Sequence, residues 1–144
     1  MSTKSVLVFL AAGVTFFLLD QRTKGIALKR AANRPIRWGR LLQIKSVAHR
    51  EASYSRGSAR TWLGLSWFAA LAGAILLVGS DVWFRTPVAR LGLAVALGGA
   101  AGNLVDIRRR GHIVNFIDLG WWPVFNLADA GIVVGLLMAF WPGI

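Results

Sequence analysis

The chain reads as an all-α membrane protein, with four transmembrane helices and a small β or interfacial element outside the bilayer in the first loop. Three observations carry that reading. Hydrophobic residues make up 56% of the 144 residues and charged residues only 16%, against about a quarter charged in soluble domains. The apolar residues are gathered into blocks instead of recurring with an amphipathic period. The charges collect between those blocks. The length is that of one domain, spanning residues 1–144.

The first block, Ser5 to Leu19, has fifteen residues without a charge and follows Lys4. A cleaved signal peptide would look similar, but this block leads into Asp20-Gln-Arg-Thr-Lys24, a poor cleavage context. The helix is expected to run past Leu19, which sets Asp20 and Lys24, four apart, on one face. Next comes "ANRPIRWGR", a turn signal, and then "LLQIKSVAHREASYS", in which Leu42, Ile44 and, less cleanly, Val47 alternate with polar residues. A strand pair is preferred there over an interfacial helix. Thr61 to Ser80 gives twenty charge-free residues, enough to cross a layer of ~30 Å at ~1.5 Å per residue. Leu91 to Val105 and Ala130 to Ile144 are fifteen residues each and need uncharged or snorkelling neighbours to span. Within the third block, "ALGGAAGN" (Ala96 to Asn103) is crowded with small residues, which lets helix backbones approach closely in lipid. Trp62, Trp83, Trp121, Trp122 and Trp141 fall near block ends, as an interfacial belt requires.

Seventeen Lys and Arg against six Asp and Glu give a net charge of +11. Their placement beside apolar blocks points to anionic lipid head groups, above all at the basic loop 21–60, and away from nucleic acid. With four spans, three basic residues lie on the side of the termini and fourteen on the other. Taken alone, the positive-inside rule puts the basic loop in the cytoplasm. The chain has no cysteine and only two histidines, His49 and His112. Disulfides and thiolate chemistry are excluded, and neither a metal site nor a cofactor is expected.

One polar pattern occurs twice: Asn103-Leu-Val-Asp106 and Asn126-Leu-Ala-Asp129. Residues three apart share a helix face, and these two pairs stand at opposite ends of one loop, facing the same side of the membrane. Helix capping or interhelical hydrogen bonding accounts for either pair alone. A shared polar site accounts for both, since ionisable groups at membrane depth are costly. Two carboxylates close together share a proton, so that one acts as base to a water while the other donates to a carbonyl.

"LDQRTK", "LGGAAGNLVD", "GHIVNFID" and "WWPVFNLADAGIVVG" resemble, in this order, the four signatures of the lipoprotein signal peptidase (signal peptidase II) family. The resemblance implies a multi-pass protein of the bacterial inner membrane, an aspartic endopeptidase that removes signal peptides from lipid-modified prolipoproteins. A monomer is expected. By the same resemblance Asp129 is one catalytic carboxylate, and Asp20, Lys24, Asn103, Asp106 and Asn126 match positions that place or stabilise the site. Arg108 and His49 are further candidates there. The chain also departs from the family. Its V-V-D-F, which holds the second catalytic aspartate, is here Ile113-Val114-Asn115-Phe116, so Asn115 stands at the acid's position. The arginine that usually follows the "GN..D" aspartate is replaced by Ile107. The first-loop N-x-G-A-A-F is His49-Arg50-Glu51-Ala52-Ser53-Tyr54. Asp118 and Glu51 are two acids that could stand in at the site. These departures leave an alternative open, a catalytically inactive homologue that binds a lipidated peptide or lipid without cutting it. The family orientation, polar loops outside, opposes the charge bias and is the one expected here.

Overall fold

A computed structural model describes residues 3–31, 36–38, 42–48, 57–79, 84 and 86–141. Among these residues four helices form: α1 (Thr3–Ala31), α2 (Gly57–Gly79), α3 (Pro87–Arg110) and α4 (Leu127–Phe140). Three short strands accompany them: β1 (Ile36–Trp38), β2 (Leu42–Ala48) and β3 (Val114–Asp118). The helices α1, α2 and α3 are long and apolar enough to cross a membrane, and α4 is a shorter apolar helix of 14 residues. α1 and α3 overrun the charge-free blocks, because the turns carrying Asp20, Lys24 and Asp106 stay helical and keep their backbone groups paired.

Local chemistry sets the ends of α3. Thr86 is its N-cap and accepts a hydrogen bond from the Ala89 N–H at 3.1 Å, with Pro87 in the first turn where no N–H is needed. Gly111 ends the helix in the left-handed region at φ 79°, donating from its N–H to the Ile107 carbonyl at 3.1 Å. The chain turns there and enters β3 three residues later.

Small residues decide how the helices meet. A Cβ on Gly98 would strike the Gly13 carbonyl of α1, and one on Gly99 would strike the Ala128 carbonyl of α4. Gly92 and Gly135 face each other across the α3–α4 contact in the same manner. The small-residue stretch therefore brings α3 against α1 on one side and α4 on the other. Away from the polar end, Phe9, Ala74, Val78 and Ala94 form a buried apolar cluster between α1, α2 and α3. Large apolar side chains face outwards instead, among them Leu7, Phe68, Leu76, Val133 and Leu137, as expected of helices whose solvent is lipid. Trp62, Trp121, Trp122 and Trp141 are exposed near helix ends, and Trp121 and Trp122 meet edge to face with centroids 5.7 Å apart.

The β element is larger than the strand pair expected in the first loop. β1 and β2 pair antiparallel, with Ile36 opposite Ile44 and Trp38 opposite Leu42. β3, from the loop between α3 and α4, adds to the other edge of β2, giving the order β1-β2-β3. Val47 lies opposite Asn115 and Gln43 opposite Asp118, with an irregularity between Ile44 and Val47. The chain before α4 then folds back on β3. Phe125 accepts from the Ile117 N–H at 2.8 Å and donates to the Ile117 carbonyl at 3.0 Å. That return sets Asn126 beside Asn115.

Candidate active site

Lys24 is the centre of the site. Its ammonium is fully buried and has three donor hydrogens. Three acceptors meet them: Asp20 Oδ2 at 2.8 Å, Asp106 Oδ2 at 2.8 Å and Asn103 Oδ1 at 2.9 Å. Asp20 and Asp106 are also fully buried. Burying an ion costs several kcal/mol unless it is paired and its remaining hydrogen-bonding capacity is used, and both conditions are met here. Asp20 accepts from the Ala128 N–H at 3.0 Å through Oδ1 and from Gln21 Nε2 at 3.2 Å through Oδ2. Asp106 holds the Arg110 guanidinium one turn further along α3 and accepts from the Val114 N–H at 3.3 Å.

This knot ties α1 to the start of α4. Ala128 lies in the first turn of α4, whose N–H groups lack intrahelical partners and carry a partial positive charge. Asp20 satisfies one of them. Asn126 and Asp129 satisfy two more as a reciprocal capping box: the Asp129 N–H donates to Asn126 Oδ1 at 2.9 Å, and the Asn126 N–H donates to Asp129 Oδ2 at 3.1 Å. Capping thus explains the spacing of the second Asn–Asp pair, while the first pair is held across helices. Gly102 makes room for Asp20, since a Cβ there would collide with its carboxylate.

A chain of amides leads from the knot to the open side. Because Asn103 Oδ1 faces Lys24, its Nδ2 is turned to Asp129 Oδ1, 2.7 Å away. Asn126 Nδ2 donates to Asn115 Oδ1 at 2.8 Å, with Asn103 Oδ1 and the Val114 carbonyl at 3.1 and 3.2 Å. Asn115 and Asp129 therefore flank the same Asn126 side chain. Both are half-buried, whereas Asn126 is fully buried. Among the described residues, Asn115 Nδ2 has no protein acceptor.

Asp20, Lys24, Asn103, Asp106, Asn115, Asn126 and Asp129 thus form one connected network. Arg108 lies outside it. The guanidinium packs against Gly64 of α2, where a Cβ would collide with it. Asp118 is three residues from Asn115 along β3, so alternation puts it on the opposite face, where it accepts from the Gly120 N–H at 2.8 Å. It does not stand in for an acid at 115. His49 and Glu51 fall outside the described residues. Sequence reasoning missed Arg110 and Gln21. The four-residue step from Asp106 to Arg110 is a usable ion-pair signal. Nothing local marks Gln21, whose amide reaches the Gly102 carbonyl on α3 at 3.1 Å.

An apolar groove adjoins this network. It runs between α2 and α3, reaches Ile132 of α4, and is lined by Ser66, Trp67, Asn103 and Ile107 among others, with a volume of about 370 Å³. Asn103 is thus shared between the groove wall and the buried polar cluster.

Known proteins are similar to this chain in sequence and fold. The family model for signal peptidase (SPase) II matches residues 12–143. The lipoprotein signal peptidase of Rhodococcus jostii is 36% identical over 144 aligned residues, covering 94% of this chain and 71% of that protein. The lipoprotein signal peptidase of Mycobacterium avium is 33% identical over 139 residues, covering 91% of this chain and 75% of that one. A solved bacterial membrane enzyme shares the fold, with a TM-score of 0.72 at 22% identity over 91% of this chain and 88% of that chain. The chain belongs to the signal peptidase II family.

Proposed function

We propose that the chain acts on lipid-modified prolipoproteins as a signal peptidase II-type endopeptidase, with Asp129 as its base. It works as one domain with four spans in the bacterial inner membrane, and as a monomer, since one copy carries the whole network. The single observation behind this reading is the shared anchor: Asn126 bonds Asn115 through its side chain and Asp129 through its capping box.

Among the described residues each Asp129 oxygen accepts one hydrogen bond, which leaves lone pairs to hold a water. The water oxygen adds to the scissile carbonyl carbon as its proton passes to Asp129. Asn115 cannot share that proton, but its Nδ2 can donate to the carbonyl oxygen as negative charge develops there. Collapse breaks the C–N bond, and Asp129 returns the proton to the leaving amine. The groove past Asn103 and Trp67 receives the apolar part of the substrate.

Purified protein incubated with a lipid-modified prolipoprotein tests this. The shortened product is expected from the wild type and is lost in Asp129→Asn. Asn115→Asp restores a proton-sharing partner and raises the rate ~10²-fold or more. No product from the wild type, with the precursor still retained, would establish the second reading, binding without cleavage. The amide at 115, which cannot share a proton with Asp129, is what raises that alternative. Single cysteines introduced into the 21–60 loop are expected to be labelled from outside the cell, against the pull of its basic residues, whose partners are anionic head groups.

A further inference from the structure

A second apolar groove lies on the other side of Trp67. It runs along α3 between α1 and α2, with a volume of about 340 Å³, and Gly13, Phe17, Leu71 and Ala101 are among its lining residues. From Ala94 to Arg108 it follows about 21 Å of α3 at ~1.5 Å per residue, the length of a long acyl chain. Trp67, Leu97 and Leu104 line both grooves and separate them, and the Trp67 indole donates to the Leu97 carbonyl at 3.1 Å.

The two grooves differ in charge. The one beside Asn103 ends at Ile107, which is neutral. The other ends at Arg108, one residue on and therefore turned ~100° around α3. This guanidinium is exposed, lies against Gly64 and has no acidic or carbonyl partner among the described residues. An apolar slot capped by one planar cation, with no acidic partner among the described residues, suits an acyl chain that carries a phosphate, which a guanidinium binds in a forked geometry.

We propose that the groove between α1, α2 and α3 is a binding site for one anionic phospholipid of the bilayer, with an acyl chain along Ala101 and Leu71 and its phosphate on Arg108. This site is separate from the substrate groove and does not depend on the chain being a peptidase.

Delipidated protein in detergent, given equal phosphatidylglycerol and phosphatidylcholine of matched chains, tests it by intact-protein mass spectrometry. The wild type is expected to retain one phosphatidylglycerol, favoured about fivefold, the effect of one basic residue at an anionic surface. Arg108→Gln equalises the two lipids, Arg108→Lys keeps part of the preference, and Arg109→Gln leaves it intact. Ala101→Phe fills the slot and lowers retention of both lipids, with helicity by circular dichroism confirming that each variant folds. Equal retention of the two lipids by the wild type overturns the proposal. So does an Arg109→Gln loss as large as that of Arg108→Gln, which would mean diffuse surface charge. Undiminished retention in Ala101→Phe, or displacement of the lipid by a neutral diacylglyceryl peptide, would also overturn it.

Discussion

α4 and α2 meet α3 in opposite ways. Against α4, the α3 backbone comes close enough that glycine is needed at positions 92, 99 and 135, and the contact ends in a buried network of ions and amides. Against α2, a Trp67 hydrogen bond to Leu97 stands between two apolar grooves, and side chains such as Leu65 and Phe68 point outwards. In lipid, apolar side chains gain little by leaving the solvent, so close packing and polar bonds decide which helices hold together. α1, α3 and α4 form the fixed part that carries the site. α2 forms a wall of both grooves and meets α3 through the Trp67 hydrogen bond between them.

The most severe break in that comparison is Lys24→Met. It leaves Asp20 and Asp106 buried with no shared cation, and breaking such a pair costs about 3–5 kcal/mol. A large fall in the thermal midpoint in detergent is expected. Next comes overpacking at the close contact. Gly99→Leu should cost about 1–3 kcal/mol, while Ala70→Leu, in the groove wall of α2, should stay within ~0.5 kcal/mol. Equal losses in the two variants would erase the distinction between fixed and yielding helices. Trp67→Phe keeps the aromatic bar and removes the indole donor, which is worth ~0.6 kcal/mol for an interhelical bond in lipid. Its effect should appear as faster hydrogen exchange in α2 with α3 and α4 unchanged. Asp118→Asn, on the far face of β3, should change stability by less than ~0.5 kcal/mol and leave precursor processing untouched.

Much of the candidate site was legible because membrane helices tolerate so few polar residues. Asp20, Lys24, Asn103 and Asp106 stood out at block ends, and helical spacing alone set each pair on one face. The twin Asn–Asp tetrads looked alike in sequence yet do different work. Asn126 and Asp129 close a capping box, whereas Asn103 and Asp106 reach across to Lys24. Spacing of three is common to both uses, so sequence could not tell them apart. Arg108 lies away from that network for a related reason. Its place next to the "GN..D" motif suggested the site, but one residue turns a helical side chain by ~100°, and that step carries it to the other groove.

By itself, the sequence determined the helical blocks, the small-residue stretch that permits close crossing, and the residue types available for chemistry, including an amide at position 115. These depend on hydropathy, side-chain volume and chemical identity, all local properties. Only the tertiary structure decided that β3 joins the sheet begun by β1 and β2, that the returning Phe125 sets Asn126 against Asn115, and that Lys24 collects acceptors from two helices. Those outcomes depend on contacts between residues up to about a hundred positions apart, such as Asp20 and Ala128. Pairing at that range is chosen by which buried donors and acceptors satisfy one another, and no local pattern encodes it.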